Sequence, residues 1–247
     1  MTGTLARRWH QFVKLLLLLP RAGWRRGLRY GVAASVEHRT VIAGLDLATV
    51  VDVGANVGQF SLLVTSLHAQ ARVFAFEPLP DAADRFARLF AGNDRVRLHR
   101  AALGPEPGTA ILHISARNDS SSLLPIAEAQ QRIFPGTQEV GTVSVPVGPL
   151  ADFVSRDELA APALLKIDVQ GFELEVLRGA AALLDAFDWL YIEASWVALY
   201  EGQALAEEVI AFAADHGFTL ASTHNRSDAS DGSPIQADLL FRRAGAC

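Results

Sequence analysis

Asp52, Gly54, Ala55, Asn56 and Gly58 close an apolar run in the order Val50-Val51-Asp52-Val53-Gly54-Ala55-Asn56-Val57-Gly58. A helix-like pattern follows at once. A strand, a glycine turn and a helix N-terminus in succession form the place where α/β proteins bind nucleotide-like ligands. The acid at Asp52 narrows the ligand. A carboxylate beside this turn would repel a pyrophosphate, whereas it suits a cationic amino-acid end and a sulfonium. S-adenosylmethionine (SAM) carries both. The glycine spacing departs from Gly-x-Gly-x-x-Gly, and the turn lacks the Gly-Lys-Ser/Thr of a P-loop. Both features disfavour an NAD-dependent oxidoreductase.

Glu77 supplies the next piece. Arg72-Val73-Phe74-Ala75-Phe76-Glu77-Pro78 reads as a second strand that ends in an acid and is stopped by Pro78. Glu77 follows Asp52 by 25 residues, about one βαβ unit, and can accept hydrogen bonds from both hydroxyls of a ribose. A second dense block is Leu164-Leu165-Lys166-Ile167-Asp168-Val169-Gln170-Gly171-Phe172-Glu173. Asp168 ends a strand expected beside the first, and Glu193 ends the one after it. Two carboxylates on neighbouring strand ends could hold Mg²⁺ or supply a base. Lys166 lies on the same strand face as Asp168, where it could pair with a carboxylate or lower the pKa of a substrate hydroxyl. Glu173 and Glu175 are expected to face solvent or the N-terminal dipole of their helix. Among the single histidines, His224 and His38 are the candidates for general base, His224 in a polar hairpin turn. The block after Asp168 lacks the Asn/Asp-Pro-Pro-Tyr pattern of amino-methylating enzymes, which favours a hydroxyl or carboxyl acceptor.

The elements that position these residues alternate regularly. Strands are expected at 50–53, 73–77, 96–103, 109–115, 142–147, 163–168 and 189–193. Helices are expected at 57–68, 81–90, 172–184 and 204–216. A hairpin of 218–222 and 237–242 ends the chain. Residues 116–141, polar and holding Pro125, Pro135 and Gly136, form the only long irregular segment and the natural lid or substrate loop. The expected fold is α/β: a mostly parallel twisted sheet with a terminal antiparallel hairpin.

Composition divides the chain in two. Its 247 residues, half of them hydrophobic, fit one sizeable domain with an appendage. Residues 1–40 hold eight Lys or Arg against one acid, and the remainder holds 14 basic and 26 acidic residues. Residues 1–44 read as a basic, partly amphipathic helical extension, and 45–247 as the catalytic domain. Trp9, Phe12, Leu15 to Leu19 and Trp24 lie among the basic residues. The apolar run is too short to span a bilayer. Arg21, Arg25, Arg26 and Arg29 directly after it disfavour export. Two readings of residues 7–29 stay open: a helix that covers the domain, or a peripheral contact with the inner face of an anionic membrane. The acidic domain disfavours nucleic acid as a partner. Cys247 is the only cysteine, so neither an intrachain disulfide nor a cysteine-based zinc site can form, and a cytoplasmic location is expected.

Taken together, the blocks 51–58, Phe76-Glu77-Pro78, Ala101-Ala102-Leu103-Gly104, 165–173 and Gln236-Ala237-Asp238-Leu239-Leu240-Phe241 resemble the FkbM family of SAM-dependent methyltransferases. The likeness runs from about residue 45 to 243. It implies a class I Rossmann-like fold and O-methylation, with hydroxyls of polyketides or glycan sugars as acceptors. It carries SAM binding onto Asp52, Gly54, Asn56, Gly58 and Glu77, with Ala55 and Pro78 beside them, and by backbone onto Ala102 and Leu103. It marks Lys166, Asp168, Gly171 and Glu173 as family positions without fixing their roles. Val147-Gly148-Pro149-Leu150-Ala151-Asp152 departs from the pattern, since Thr-Leu-Asp is expected there. A non-catalytic SAM-binding subunit of a glycan-assembly complex is the competing reading.

Overall fold

The computed structural model describes residues 22–245. Seven strands form the central sheet in the order β3-β2-β1-β7-β8-β10-β9. They are β1 (Thr49–Val53), β2 (Arg72–Phe76), β3 (Val96–His99), β7 (Ala163–Ile167), β8 (Trp189–Ser195), β9 (Phe218–Asp228) and β10 (Pro234–Arg243). The first five named run parallel, and β10 is antiparallel to both of its neighbours. The mostly parallel sheet with a terminal hairpin is therefore as the sequence leads one to expect.

Burial on both faces explains why these strands read as continuous apolar runs. Val50, Val73, Leu164 and Tyr191 join one core cluster. Val51, Phe74, Leu165 and Ile192, each the next residue along its strand, join the other. On the first face lie α1 (Ala22–Arg29), α2 (Arg39–Ala43), α3 (Gln59–Leu67) and α4 (Pro80–Leu89). On the second lie α6 (Glu173–Ala180) and α7 (Ala206–Asp215). The short α5 (Glu128–Ile133) belongs to the segment over the strand ends.

The chain moves outward from β1 through β2 to β3, then returns to the other side of β1 as β7 and β8. The strand order thus reverses between β1 and β7. Such a reversal opens a crevice at the carboxyl ends of the strands.

Three expectations change. The strand expected at 96–103 breaks after His99, and Ala102–Leu103 becomes β4 of a separate three-stranded sheet, β4-β6-β5. Its other members are β5 (Gly108–Ser115) and β6 (Glu139–Gly148). Exposed Arg100 marks the bend where the chain leaves the central sheet. The hairpin strands are longer than expected, so His224 lies on β9 and not in the turn. The irregular segment shortens to a stretch carrying one turn of 3-10 helix, Asn118–Ser120, and α5. At the departure 147–152, β6 runs out at Gly148 and a 3-10 turn, Leu150–Asp152, follows with Leu150 buried.

Trp9, Phe12 and Leu15 to Leu19 of the basic head lie outside the described residues. The described part of the head packs inward. Trp24 is 1% exposed and belongs to the same core cluster as Leu62 and Leu63 of α3. At Gly27 any Cβ would collide with the Leu62 side chain and the Val32 carbonyl, so only glycine allows α1 to lie this close to α3. Val32, Ala34, Val41 and Ile42 continue the contact. Among the described residues no helix is long and apolar enough to cross a membrane.

Trp24→Ala is expected to cost about 3–5 kcal/mol of unfolding free energy, as for other buried aromatic truncations. Urea unfolding monitored by far-ultraviolet circular dichroism reads this as a lower midpoint at unchanged slope. A loss below about 1 kcal/mol would mean that α1 is not part of the cooperative core.

Candidate active site

A cavity of about 450 Å³ opens at the carboxyl ends of β1, β2, β7 and β8. The glycine turn makes one wall. Gly54 (φ +75°), Asn56 (φ +48°) and Gly58 (φ +95°) all take left-handed backbone. At Gly54 a Cβ would strike the Asp168 carbonyl, so the turn can lie against the end of β7 only without a side chain. The N–H groups of Gly54 and Ala55 both donate to the Phe76 carbonyl, at 3.1 and 3.0 Å. Gly54, Ala55 and Asn56 line the cavity. Gly58 does not: it starts α3, and a Cβ there would press on Phe86 and Phe90.

Glu77 stands at the end of β2, buried but lining the cavity. Its Oε2 accepts from the Asn56 N–H and its Oε1 from the Leu79 N–H, both at 2.7 Å. Burial raises its pKa more than these two bonds lower it, to about 7. Pro78, Ala101, Ala102 and Leu103 extend this wall as an apolar strip.

Asp52 is not in the cavity. It is fully buried beneath the turn, and Ser61 Oγ donates to its Oδ2 at 2.7 Å. The parallel register sets Asp52 opposite Lys166 of β7, and Lys166 Nζ lies 3.1 Å from Asp52 Oδ1. The same ammonium donates to the carbonyls of Val53 (3.2 Å) and Gly54 (3.1 Å) and lies 3.8 Å from Asp168 Oδ2. Burial alone would lower the Lys166 pKa, yet the charges of Asp52 and Asp168 more than offset it and hold it above the ordinary lysine value. Lys166 is therefore a fixed cation. The carboxylate that the sequence offers to a cationic ligand is already matched from within the protein.

Asp168 projects into the cavity with its side chain 39% exposed, and Glu193 faces the cavity beside it. The amide of Gln170 joins them. Its Nε2 donates to Asp168 Oδ1 at 2.8 Å and to Glu193 Oε2 at 2.6 Å. The possible magnesium site on Asp168 and Glu193 finds no support here, since the Gln170 amide already bridges an oxygen of each. Among the described residues no cluster of three or more His, Cys, Asp or Glu is arranged around a metal position. Burial, with Asp168, Asp238 and Glu173 nearby, raises the Glu193 pKa well above the ordinary carboxylate value.

Gln170 itself takes positive φ (+58°), and Gly171 follows with +99°. Glu173 stabilises this turn. It is buried rather than solvent-facing, and its Oε1 accepts from the N–H groups of Gly171 (2.9 Å) and Val169 (3.3 Å). Burial lifts its pKa to about 7. Glu175, by contrast, pairs with Arg178 at 2.5 Å on the outer face. The segment 117–123 roofs the cavity. Ser122 Oγ donates to the Gln170 carbonyl at 2.6 Å, and Tyr200 Oη contacts the Ser120 carbonyl (3.0 Å) and Gln170 Oε1 (2.9 Å).

The histidines separate. His224 lies outside the cavity, bonded to Ser222 Oγ at 2.7 Å, with its ring centroid 6.5 Å from that of Tyr191. His38 lines the cavity, and its Nδ1 lies 3.3 Å from Asp238 Oδ2. Asp238, from the block 236–241, lies against it with Asn225 and Tyr191, and neither of these two belongs to a motif that the sequence alone would single out.

The residues present fit SAM. Glu77 is a buried carboxylate of the kind that ribose hydroxyls need, the strip 101–103 suits an adenine ring, and Gly54, Ala55 and Asn56 line the cavity. A family model described as the methyltransferase FkbM domain matches residues 52–220. The chain is 29% identical to the 2-O-methyltransferase NoeI of Sinorhizobium fredii over 185 residues, 72% of this chain and 76% of that protein. It is 29% identical to the 31-O-demethyl-FK506 methyltransferase FkbM of Streptomyces tacrolimicus over 224 residues, 79% and 81% of the two. It is 32% identical to the hexuronic acid methyltransferase AglP of Haloferax volcanii over 150 residues, 58% of this chain and about half, 54%, of that protein.

Lys166→Met, which strands Asp52 as a buried and unmatched charge, is expected to cost about 3–5 kcal/mol in denaturant unfolding. Adding Asp52→Asn should restore part of that loss, because the stranded charge is then gone. If the double variant is less stable than the single one by more than about 1 kcal/mol, the pair is not the origin of the effect.

Proposed function

Belonging, as this chain does, to the FkbM family of SAM-dependent methyltransferases, it is an enzyme for which we propose O-methylation of a saccharide hydroxyl or of a related polyhydroxylated metabolite. The observation that carries this reading is the wall opposite the glycine turn. Asp168, Gln170, Glu193 and Asp238 line it, and Asn118, Asp119 and Ser121 face the cavity from the roof. Closely set hydrogen-bonding groups of both kinds suit a ligand with several hydroxyls. They do not form an aromatic sandwich for a flat base. AglP is named a hexuronic acid methyltransferase, in keeping with this acceptor class, and NoeI a 2-O-methyltransferase, in keeping with transfer to oxygen.

Each residue then has a task. Glu77 takes the ribose hydroxyls. Lys166 fixes the carbonyls of Val53 and Gly54 and so the shape of the turn. Gln170 donates to both carboxyl groups, and Asp168, its side chain partly exposed, faces the cavity. The Asp168 carboxylate accepts a hydrogen bond from a neighbouring hydroxyl of the acceptor and so positions the one to be methylated, which is where positioning lowers the barrier. SAM, when bound, supplies an electrophilic methyl group on a positively charged sulfur. The roof 117–123, held down by Tyr200 and Ser122, limits water at the reacting atoms.

S-Adenosylhomocysteine is expected to bind saturably in calorimetry, with binding lost in Glu77→Ala; tight NADH binding without it would contradict the assignment. Because Glu77 in the free protein has its pKa raised to about 7, and a ribose favours the carboxylate form, affinity should fall as pH drops below about 7. Binding there should release a proton, detected by titration in two buffers of different ionisation enthalpy, and an affinity flat between about pH 5.5 and 8.5 would remove Glu77 from the ribose.

Asp168→Asn should keep S-adenosylhomocysteine binding while kcat falls about 10²-fold. A non-catalytic subunit would show binding and no turnover in the unaltered protein. EDTA is expected to leave the rate unchanged.

A further inference from the structure

Four polar groups meet at one side of the cavity, drawn from parts of the chain distant in sequence. His38 comes from the 3-10 turn Val36–His38, Tyr191 from β8, Asn225 from β9 and Asp238 from β10. His38 Nδ1 lies 2.9 Å from Tyr191 Oη, 3.1 Å from Asn225 Nδ2 and 3.3 Å from Asp238 Oδ2. Tyr191 Oη donates to the same Oδ2 at 3.1 Å, and Asn225 Nδ2 at 2.7 Å. The imidazole is held edge-on between Phe60 and Tyr191, with centroids 5.7 and 5.5 Å away.

We propose that His38, oriented by Asp238, takes the proton of the acceptor hydroxyl on its Nε2. This rests on the methyl-transfer reading of the same cavity and names the base within it. A lone pair on Nδ1 would face the Asp238 carboxylate, which is repulsive. Tyr191 Oη and Asn225 Nδ2 each direct a hydrogen to Asp238 Oδ2 rather than to the imidazole, so Nδ1 carries the hydrogen and donates to Tyr191 Oη and toward Asp238, and Nε2 keeps its lone pair. No partner among the described residues takes Nε2, and the residue lines the cavity. Burial pushes the Asp238 pKa up, but the bonds from His38, Asn225 and Tyr191 outweigh it and hold the group below the usual aspartate value. It stays ionised and can stabilise the imidazolium that forms.

The other cavity groups are poorer acceptors of a proton. Lys166 is a fixed cation without a lone pair. Asp168 accepts from Gln170 and lies near the Lys166 ammonium. Glu193 Oε2 already accepts from Gln170 Nε2. As the oxygen–methyl bond forms and the donor's sulfur–methyl bond breaks, the sulfur keeps the electron pair. The hydroxyl proton moves to Nε2, giving methyl ether, neutral thioether and imidazolium.

The charged and titratable groups around His38 are Asp238 on β10, with Glu193 paired to it in register on β8, Tyr191 on β8, His224 on β9 behind Tyr191, Lys166 on β7 across the Phe60 ring, and Glu37 on the same turn.

Long-range ¹H–¹⁵N NMR of the imidazole nitrogens, assigned by loss of the signal in His38→Gln, should find the Nδ1–H tautomer in the unaltered protein. Asp238→Asn should shift it toward Nε2–H. Methyl transfer from tritiated SAM to a set of neutral and uronic methyl glycosides supplies the second reading. His38→Gln should lose about 10²- to 10⁴-fold in kcat, while S-adenosylhomocysteine affinity changes less than about threefold. An Nε2–H tautomer in the unaltered protein, or His38→Gln turning over at the unaltered rate, overturns the assignment and leaves the methyltransferase reading intact. An unaltered enzyme that binds S-adenosylhomocysteine and methylates none of the glycosides overturns the acceptor class, and this assignment with it.

Discussion

A buried ammonium must find negative partners or be driven to neutrality, and Lys166 finds them at the seam where the strand order reverses. Asp52 on β1 matches its charge, the carbonyls of Val53 and Gly54 take its hydrogens, and Asp168 lies just beyond. One side chain thus ties the end of β7 to the end of β1 and to the first residue of the glycine turn. Both walls of the cavity start from this point. The turn that presents Ala55 and Asn56 begins one residue past the clamped carbonyls, and Asp168 begins two residues past Lys166. If the clamp shifts, the nucleoside wall and the acceptor wall shift relative to each other. A site that must bring a hydroxyl in line with a methyl–sulfur bond is sensitive to that distance.

Environment divides the carboxyl groups by task. Glu77, Glu173 and Glu193 are all pushed upward by burial, while Asp238, equally removed from water, is held down by three donors. Glu173 acts within the protein, fixing the left-handed turn that aims Gln170. Gln170 in turn donates to both Asp168 and Glu193. The two ends of the described chain complete the site: the turn 36–38 supplies His38, and the terminal hairpin supplies Asn225 and Asp238. The basic extension is thus more than an appendage, since its described part seals α3 through Trp24 and brings His38 to the cavity.

The parts of the fold visible in the sequence were those with local causes. β1, the glycine turn and β2 with its terminal acid follow from unbroken apolar runs, from glycine at left-handed positions and from the length of one βαβ unit. The motif blocks carried the family as well, and the family model agrees with it. What escaped depends on register and on contacts between distant segments. Asp52 reads as a carboxylate for a cationic ligand until its pairing with Lys166 across β1 and β7 is known. His38 reads as one of two candidate bases, but its partners Tyr191, Asn225 and Asp238 come together only when β8, β9 and β10 surround it. Gln170 carries no chemical signal of its own, and only the positions of Asp168 and Glu193 make it a bridge. The break of 96–103 into two strands escaped because a half-exposed strand at a sheet edge has little apolar periodicity to mark where it ends.

The central claim is that the crevice between β1, β2 and β7 holds the adenosyl group while the wall of Asp168, Gln170 and His38 receives the acceptor. A crystal structure of the protein with S-adenosylhomocysteine addresses it most directly. The expected result places both ribose hydroxyls within hydrogen-bond distance of Glu77, the adenine against Ala101–Leu103, and the thioether sulfur facing Asp168 and His38. An adenosyl group bound elsewhere, or bound with its sulfur turned away from that wall, would contradict the account.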